Sequence, residues 1–166
     1  MIIRPETPAD IETIEAITIA AFADCPHGDH TEQFIVRALR AAYALTLSLV
    51  AESEGRVVAH LAFSPVTIAG RYCDWFGLGP ISVRPDLQKQ GIGSALLREG
   101  LQRLQNNGAK GCLLVGDPNF YQRFGFQHDP NLTLEGVPPE VLLALPFNST
   151  VPHGPVQFHP AFTATA

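Results

Sequence analysis

Charge is scarce in this chain, and positive charge is scarcer still. Only 16 % of the 166 residues are Asp, Glu, Lys or Arg, against 46 % apolar. Such a chain has enough apolar surface to offset its ordering entropy, which argues against disorder. The 11 basic residues are outnumbered by 16 acidic ones, for a formal net charge of −5. A general nucleic-acid binder presents a basic surface, so no nucleic-acid partner is expected. No apolar run approaches the roughly 18 residues of a membrane helix. The longest, Ala41 to Ala51, is broken by Thr46 and Ser48, so no membrane partner is expected either. The first residues turn acidic at Glu6 and contain no h-region, which points to a cytoplasmic protein. Three cysteines, Cys25, Cys73 and Cys112, cannot all pair within one chain and show no CxxC spacing. They read as reduced thiols, with Cys112 a small core residue. His27, Asp29 and His30 lack further ligands at metal-site spacing, so no metal is expected.

The length suits one domain, residues 1–166. Helical and extended patterns alternate along it. Met1 to Arg4 reads as a short strand. Thr7-Pro8-Ala9-Asp10 opens a helix by a capping box with proline at its first position, and Ile11, Ile14, Ile17 and Ala21 give it a buried face. Asp29-His30-Thr31-Glu32 starts a second helix, with Asp29 at the cap and Glu32 completing the box. Leu45 to Leu49 alternates with period two. Val57 to Ile68 and Tyr72 to Val83 are longer extended runs, and the turns Glu54-Gly55 and Ala69-Gly70 make the three an antiparallel meander. Gly91 to Asn106 is the clearest helix, with Ile92, Leu96, Leu97, Leu101 and Leu104 at helical spacing and Gly108 as its stop. A buried strand over Lys110 to Val115, a short helix over Asp117 to Phe124, a helix over Val141 to Leu145 and a last strand over Val156 to His159 complete the order. That order predicts an α/β (α+β) fold, a mixed, mostly antiparallel sheet of about six to seven strands flanked by helices.

The stretch from Ile81 to Leu97 carries the chemistry. A strand ends near Val83, a tight glycine-bearing loop follows, and a strong helix begins at about Gly91. A helix N-terminus offers unpaired backbone N–H groups, and glycine lets a ligand approach them, so the segment is a candidate phosphate site. Lys89 adds a cation at its mouth. The helix dipole is worth only about 0.3–1 kcal/mol, so hydrogen bonds must supply most of the binding. No Gly-Lys-Ser/Thr follows, which excludes a Walker A loop, and Leu96 occupies the third position of a GxGxxG motif.

The wider pattern is more specific. Ile81-Ser82-Val83-Arg84-Pro85 followed by Gln88-x-x-Gly91-x-Gly93-x-Ala95-Leu96-Leu97 resembles the acyl-CoA signature of the GNAT superfamily of N-acyltransferases. Downstream, Tyr121-Gln122-Arg123-Phe124-Gly125-Phe126 resembles the superfamily's Tyr-x-x-x-Gly-Phe segment, and Gly116 to Phe126 is similar to a block in a bacterial subgroup of N-acetyltransferases. The resemblance implies acetyl-CoA as acyl donor. Backbone groups of Ile81, Ser82 and Val83 would bind the pantetheine arm, and the amides of Lys89, Gln90, Gly91, Ile92, Gly93 and Ser94 the pyrophosphate. It implies direct transfer to an amine in a ternary complex. A backbone N–H of Ile81–Val83 would hold the oxyanion, and Tyr121 would protonate the leaving thiolate. A phenol of pKa about 10 can protonate a thiolate whose conjugate acid lies near 8.5.

The base is where the chain departs from the family pattern. Many members carry a carboxylate just before the Ile-Ser-Val equivalent. Here the stretch is Gly77-Leu78-Gly79-Pro80, and Asp74 lies further upstream. Freeing the lone pair of a lysine-like amine at pH 7 costs roughly 4.6 kcal/mol, and of an α-amine only about 1 to 1.4 kcal/mol, which a water chain could serve. Glu32 and His60 are the candidates for the acceptor side, with His27 and His30 in the loop before Glu32. For Glu32 the competing reading is the capping box, and for His60 a satisfied core histidine. The acceptor is a small-molecule or peptide amine. The missing carboxylate keeps open a non-catalytic acyl-CoA sensor, and the helix N-terminus a nucleotide-binding protein. Strand edges leave a homodimer open.

Overall fold

The computed structural model describes residues 1–26, 29–148 and 150–166. Its framework is the meander of β2 (Leu47–Ser53), β3 (Arg56–Ile68) and β4 (Arg71–Val83). β3 is buried along most of its length, because helices cover both faces of the sheet. Leu49, Ala59, Leu61 and Phe63 face α3 (Ile92–Asn106) and meet Leu96, Leu97, Leu101 and Leu104. On the other face α1 (Ile11–Phe22) and α2 (Glu32–Ala41) deliver Ile14 and Val36 against Val50. Burying side chains of this size contributes about 1.5–3 kcal/mol each.

β1 (Ile2–Pro5) pairs with β2 at one edge, and β5 (Gly111–Val115) lies parallel to β4. After α4 (Pro118–Tyr121) come the short strands β6 (Gln127–His128) and β7 (Leu132–Thr133), then β8 (Leu142–Pro146) and β9 (Gly154–Gln157). The sheet order is β1-β2-β3-β4-β5-β8-β6, with β9 pairing the end of β3 and also β7. All pairs are antiparallel except β4 with β5 and β7 with β9.

The mixed, mostly antiparallel architecture agrees with the sequence reading, but the count of six to seven strands is corrected to nine. The helix expected over Val141 to Leu145 is strand β8, entered through a 3-10 turn at Pro139–Val141. A run of leucines suits a buried strand as well as a helix, and here the far edge of β5 supplies the partner. The capping arrangement at α2 also differs. Thr31, not Asp29, is the N-cap, and Glu32 is the first helical residue, its Oε2 accepting from the Thr31 N–H at 2.8 Å. His27 and Ser149 lie outside the described residues. No helix among the described residues is long and apolar enough to cross a membrane, and no group of three metal-ligating side chains occurs among them.

Candidate active site

β4 and β5 begin side by side and then part. Their ladder covers only Trp75 to Gly77 against Gly111 to Leu113. Beyond it β5 follows β8, while β4 runs on to Val83 with β3 on one edge and no strand on the other among the described residues. Backbone polar groups along that second edge need partners that the sheet does not supply.

The edge opens on a cleft of about 640 Å³. Of the residues proposed from the sequence to bind the cofactor, Ile81, Ser82, Val83, Lys89, Gly91, Ile92, Gly93 and Ser94 line it and Gln90 does not. The connecting loop is shaped by a 3-10 turn at Pro85–Leu87, and Gln88 Nε2 donates to the Val83 carbonyl at 3.0 Å. Gly91, the N-cap of α3, has φ +87°, a left-handed conformation that costs a side-chain-bearing residue about 1–2 kcal/mol. The first N–H groups of α3 therefore face the cleft with no intrahelical acceptor. Ser82 is buried and its Oγ lies 3.4 Å from Thr18 Oγ1. Thr18 donates its own proton to the Ile14 carbonyl, which ties α1 to this strand.

Sequence reasoning missed the opposite wall. Ala21 and Phe22 at the end of α1 line the cleft, as do Phe120 and Arg123 beyond β5. Arg123 sits 4.7 Å above the Phe120 ring and donates from Nε to the Phe120 carbonyl. It belongs to the Tyr121–Phe126 block, so its place in that motif was the available signal. Lys89 and Arg123 are the charged lining residues among those described, and no carboxylate joins them. The cleft thus suits anions although the chain is acidic. A second opening of about 620 Å³ involves Arg4, Asp10, Glu52 and Arg84, whose charges are paired internally or with Asp86.

Tyr121 stands beside this cleft without lining it. Asp117 caps α4 by accepting from the Asn119 N–H, Pro118 starts the turn, and the Tyr121 ring meets Phe120 edge-on at 4.9 Å. The ring lies against Gly116 at the end of β5, where a Cβ would fall 2.6 Å from Cε2. No protein hydrogen bond to its hydroxyl occurs among the described residues. Burial, then Cys112 and Asp117, push its phenol above the ordinary value.

The acceptor-side candidates separate. Glu32 lines a smaller cavity of about 220 Å³ together with Phe22, Leu78, Gly79, Pro80 and Val115, at the mouth of the parted strands. His60 is wholly buried and reaches no opening. Its Nε2 is 2.8 Å from Ser48 Oγ, which hydrogen-bonds Glu6, and Arg40 donates twice to the same carboxylate. With the Ser48 proton on Glu6, His60 is the Nε2–H tautomer. Burial, opposed by Glu6, holds its pKa below the usual value. Asp74 pairs with Lys110 at 3.9 Å and lies seven residues before Ile81, roughly 23 Å at about 3.3 Å per strand residue. His30 lines neither cavity.

A family profile described as Acetyltransferase (GNAT) domain matches residues 2–128. The uncharacterized N-acetyltransferase YhbS of Escherichia coli K12 is 38% identical over 128 residues, 76% of this chain and 74% of that protein. Among solved structures, a GNAT family acetyltransferase from Brucella melitensis, in complex with acetyl-CoA, is 46% identical. It aligns with TM-score 0.88 over 97% of both chains. The Escherichia coli YhbS structure, in complex with CoA, is 30% identical with TM-score 0.89, covering 99% of this chain and 93% of that one. This chain belongs to the GNAT family of acetyltransferases.

Proposed function

We propose that the protein is an N-acetyltransferase that binds acetyl-CoA in the 640 Å³ cleft and passes the acetyl group to an amine. The observation that carries the reading is the continuity of the unpaired β4 edge with the amide-rich start of α3, under two cations and no carboxylate. That surface fits a ligand with an amide-bearing arm at one end and phosphates at the other. Acetyl-CoA, when bound, supplies an activated acetyl thioester. Ile81, Ser82 and Val83 offer backbone partners to the arm. The amides of Lys89, Gly91, Ile92, Gly93 and Ser94 offer donors to the phosphates, and Gly93 leaves the approach free of a side chain. A backbone N–H of the β4 edge would stabilise negative charge on the thioester oxygen, a preorganised donor of the kind that carries much of enzymatic rate enhancement.

Tyr121 is the proposed acid. A phenol of pKa about 10 holds its proton at neutral pH, and burial disfavours the phenolate further. Its place next to Phe120, which lines the cleft, supports a short reach to the sulfur. The return of β9 to β3 and the packing of the Pro160–Thr163 turn on α2 support one domain over 1–166. Three free cysteines support the cytoplasm as its compartment.

Thermal-shift titration with acetyl-CoA, CoA, ATP and NAD tests the reading. A ligand at 100 times its Kd stabilises the fold by about 2.7 kcal/mol. Stabilisation by acetyl-CoA and CoA alone is expected. Stabilisation by ATP or NAD, without the CoA species, would overturn it.

A further inference from the structure

The small cavity at the mouth of the parted strands and the large cleft share one wall residue, Phe22, and run end to end along β4. Leu78, Gly79 and Pro80 face the small cavity; Ile81, Ser82 and Val83 face the cleft. Within the small cavity the described lining is apolar except for Glu32. The Glu32 carboxylate is divided in use. Oε2 accepts from the Thr31 N–H, while Oε1 is buried with no hydrogen-bond partner among the described residues. A buried carboxylate oxygen left without a donor is unfavourable, so a ligand N–H at that point would relieve it.

α2 is held so that this carboxylate stays in place. Arg40 in its last turn makes a two-bond contact with Glu6, itself bonded to Ser48, and Arg37 pairs with Glu15 of α1 at 2.5 Å. Resting on the acetyl-CoA reading above, we infer that Glu32 receives the acceptor amine, and that the acceptor is a small monoamine with an apolar substituent. At about 30 Å³ per water, 220 Å³ holds about seven, which suits a short branched or aryl-bearing chain. A second ammonium on the same ligand would face Phe22, Ile35, Leu78 or Phe158 without a counter-charge.

The proton balance fits one carboxylate. Of the three protons on the bound ammonium, one goes to Glu32, one stays on the amide nitrogen, and one leaves the nitrogen to replace the proton that Tyr121 gives to sulfur. The C–N bond forms at the thioester carbon as the C–S bond breaks, and Glu32 returns its proton to solvent.

Glu32→Gln keeps the size and one acceptor oxygen but removes the charge. Isoamylamine and phenethylamine are compared with putrescine and spermidine, at saturating acetyl-CoA, with wild type and variant. Thiol release over pH 6–10, acetyl-CoA Kd, melting temperature and calorimetric binding of phenethylamine to the protein alone are measured. The expected result is turnover of the two monoamines above the polyamines. The variant should lose about 10²-fold in kcat/KM, as removal of a general base does. It should also bind phenethylamine at least tenfold more weakly, with unchanged acetyl-CoA Kd and melting temperature, and recover part of its rate toward pH 10 as free amine accumulates. Equal kcat/KM and equal phenethylamine binding in wild type and variant would overturn the role of Glu32. Faster turnover of putrescine or spermidine, or no turnover of either monoamine by a wild type that binds acetyl-CoA, would overturn the substrate class. Failure to bind acetyl-CoA would overturn the reading beneath both.

Discussion

Tyr121→Phe removes one oxygen and little else. The ring is held by its neighbours: Phe120 at 4.9 Å and Phe126 at 5.9 Å edge-on, Phe124 at 6.5 Å, and the bare backbone of Gly116 beneath it. These contacts survive in phenylalanine. The hydroxyl has no protein partner among the described residues, so none is orphaned by its loss. Folding stability should therefore change by less than about 0.5 kcal/mol, the ordinary range for a substitution that breaks no such feature. The chemical step should change far more. Without the phenol the thiolate must leave unprotonated or draw a proton from water. A positioned acid contributes about 10²–10⁴-fold, so kcat should fall at least about 10²-fold, or about 2.7 kcal/mol in the barrier. Thiol release with an amine substrate reads kcat, and a thermal-shift titration reads acetyl-CoA affinity in the same preparation. A variant with kcat within twofold of wild type would refute the acid role outright. A fall in affinity matching the fall in rate would mean that the hydroxyl serves binding. Gly116→Ala supplies the geometric counterpart. Its Cβ would sit 2.6 Å from the Tyr121 ring, so the ring must move, and kcat should fall with the hydroxyl still present.

Gly91→Ala should destabilise the fold by about 1–2 kcal/mol, because its φ of +87° disfavours a Cβ; an unchanged melting temperature would contradict the loop geometry. Lys89→Ala removes an exposed cation from the cleft and should raise the acetyl-CoA Kd about two- to fivefold, in line with about 0.5–1 kcal/mol for a solvent-screened charge. That difference should shrink in high salt, and a salt-independent loss would point elsewhere. Stability should also decline in acid, in two stages. His60 has a lowered folded pKa, so the unfolded chain binds its proton first and stability falls as pH drops below about 6.5. Glu6 is pushed up by burial but held down to about 2 by His60, 3.7 Å away, and by bonds from Arg40 and Ser48, so its contribution is present above its unfolded value near 4.5 and is lost between there and about 2. Urea unfolding across pH 3–8 measures both; a midpoint independent of pH would show that neither group is linked to folding.

The local patterns were legible without a structure. A period-two run, two longer extended runs and the turns between them located β2 to β4, leucines at helical spacing located α3, and the strand–loop–helix junction located one wall of the cleft. Each depends on residues within a turn or a hairpin of one another, where side-chain direction follows from backbone geometry alone. The remainder depends on which distant segments meet. That Val141 to Leu145 extends as a strand follows from the open edge of β5. That Phe22 joins two cavities, and that Glu32 rather than Asp74 or His60 stands at the mouth of the strands, follows from where α1 and α2 pack. Periodicity tells a residue which face of its own element it occupies. Only tertiary packing decides what lies opposite: for His60 the buried Ser48 and the partly buried Glu6, and for the Glu32 carboxylate an apolar cavity with one oxygen left to be satisfied.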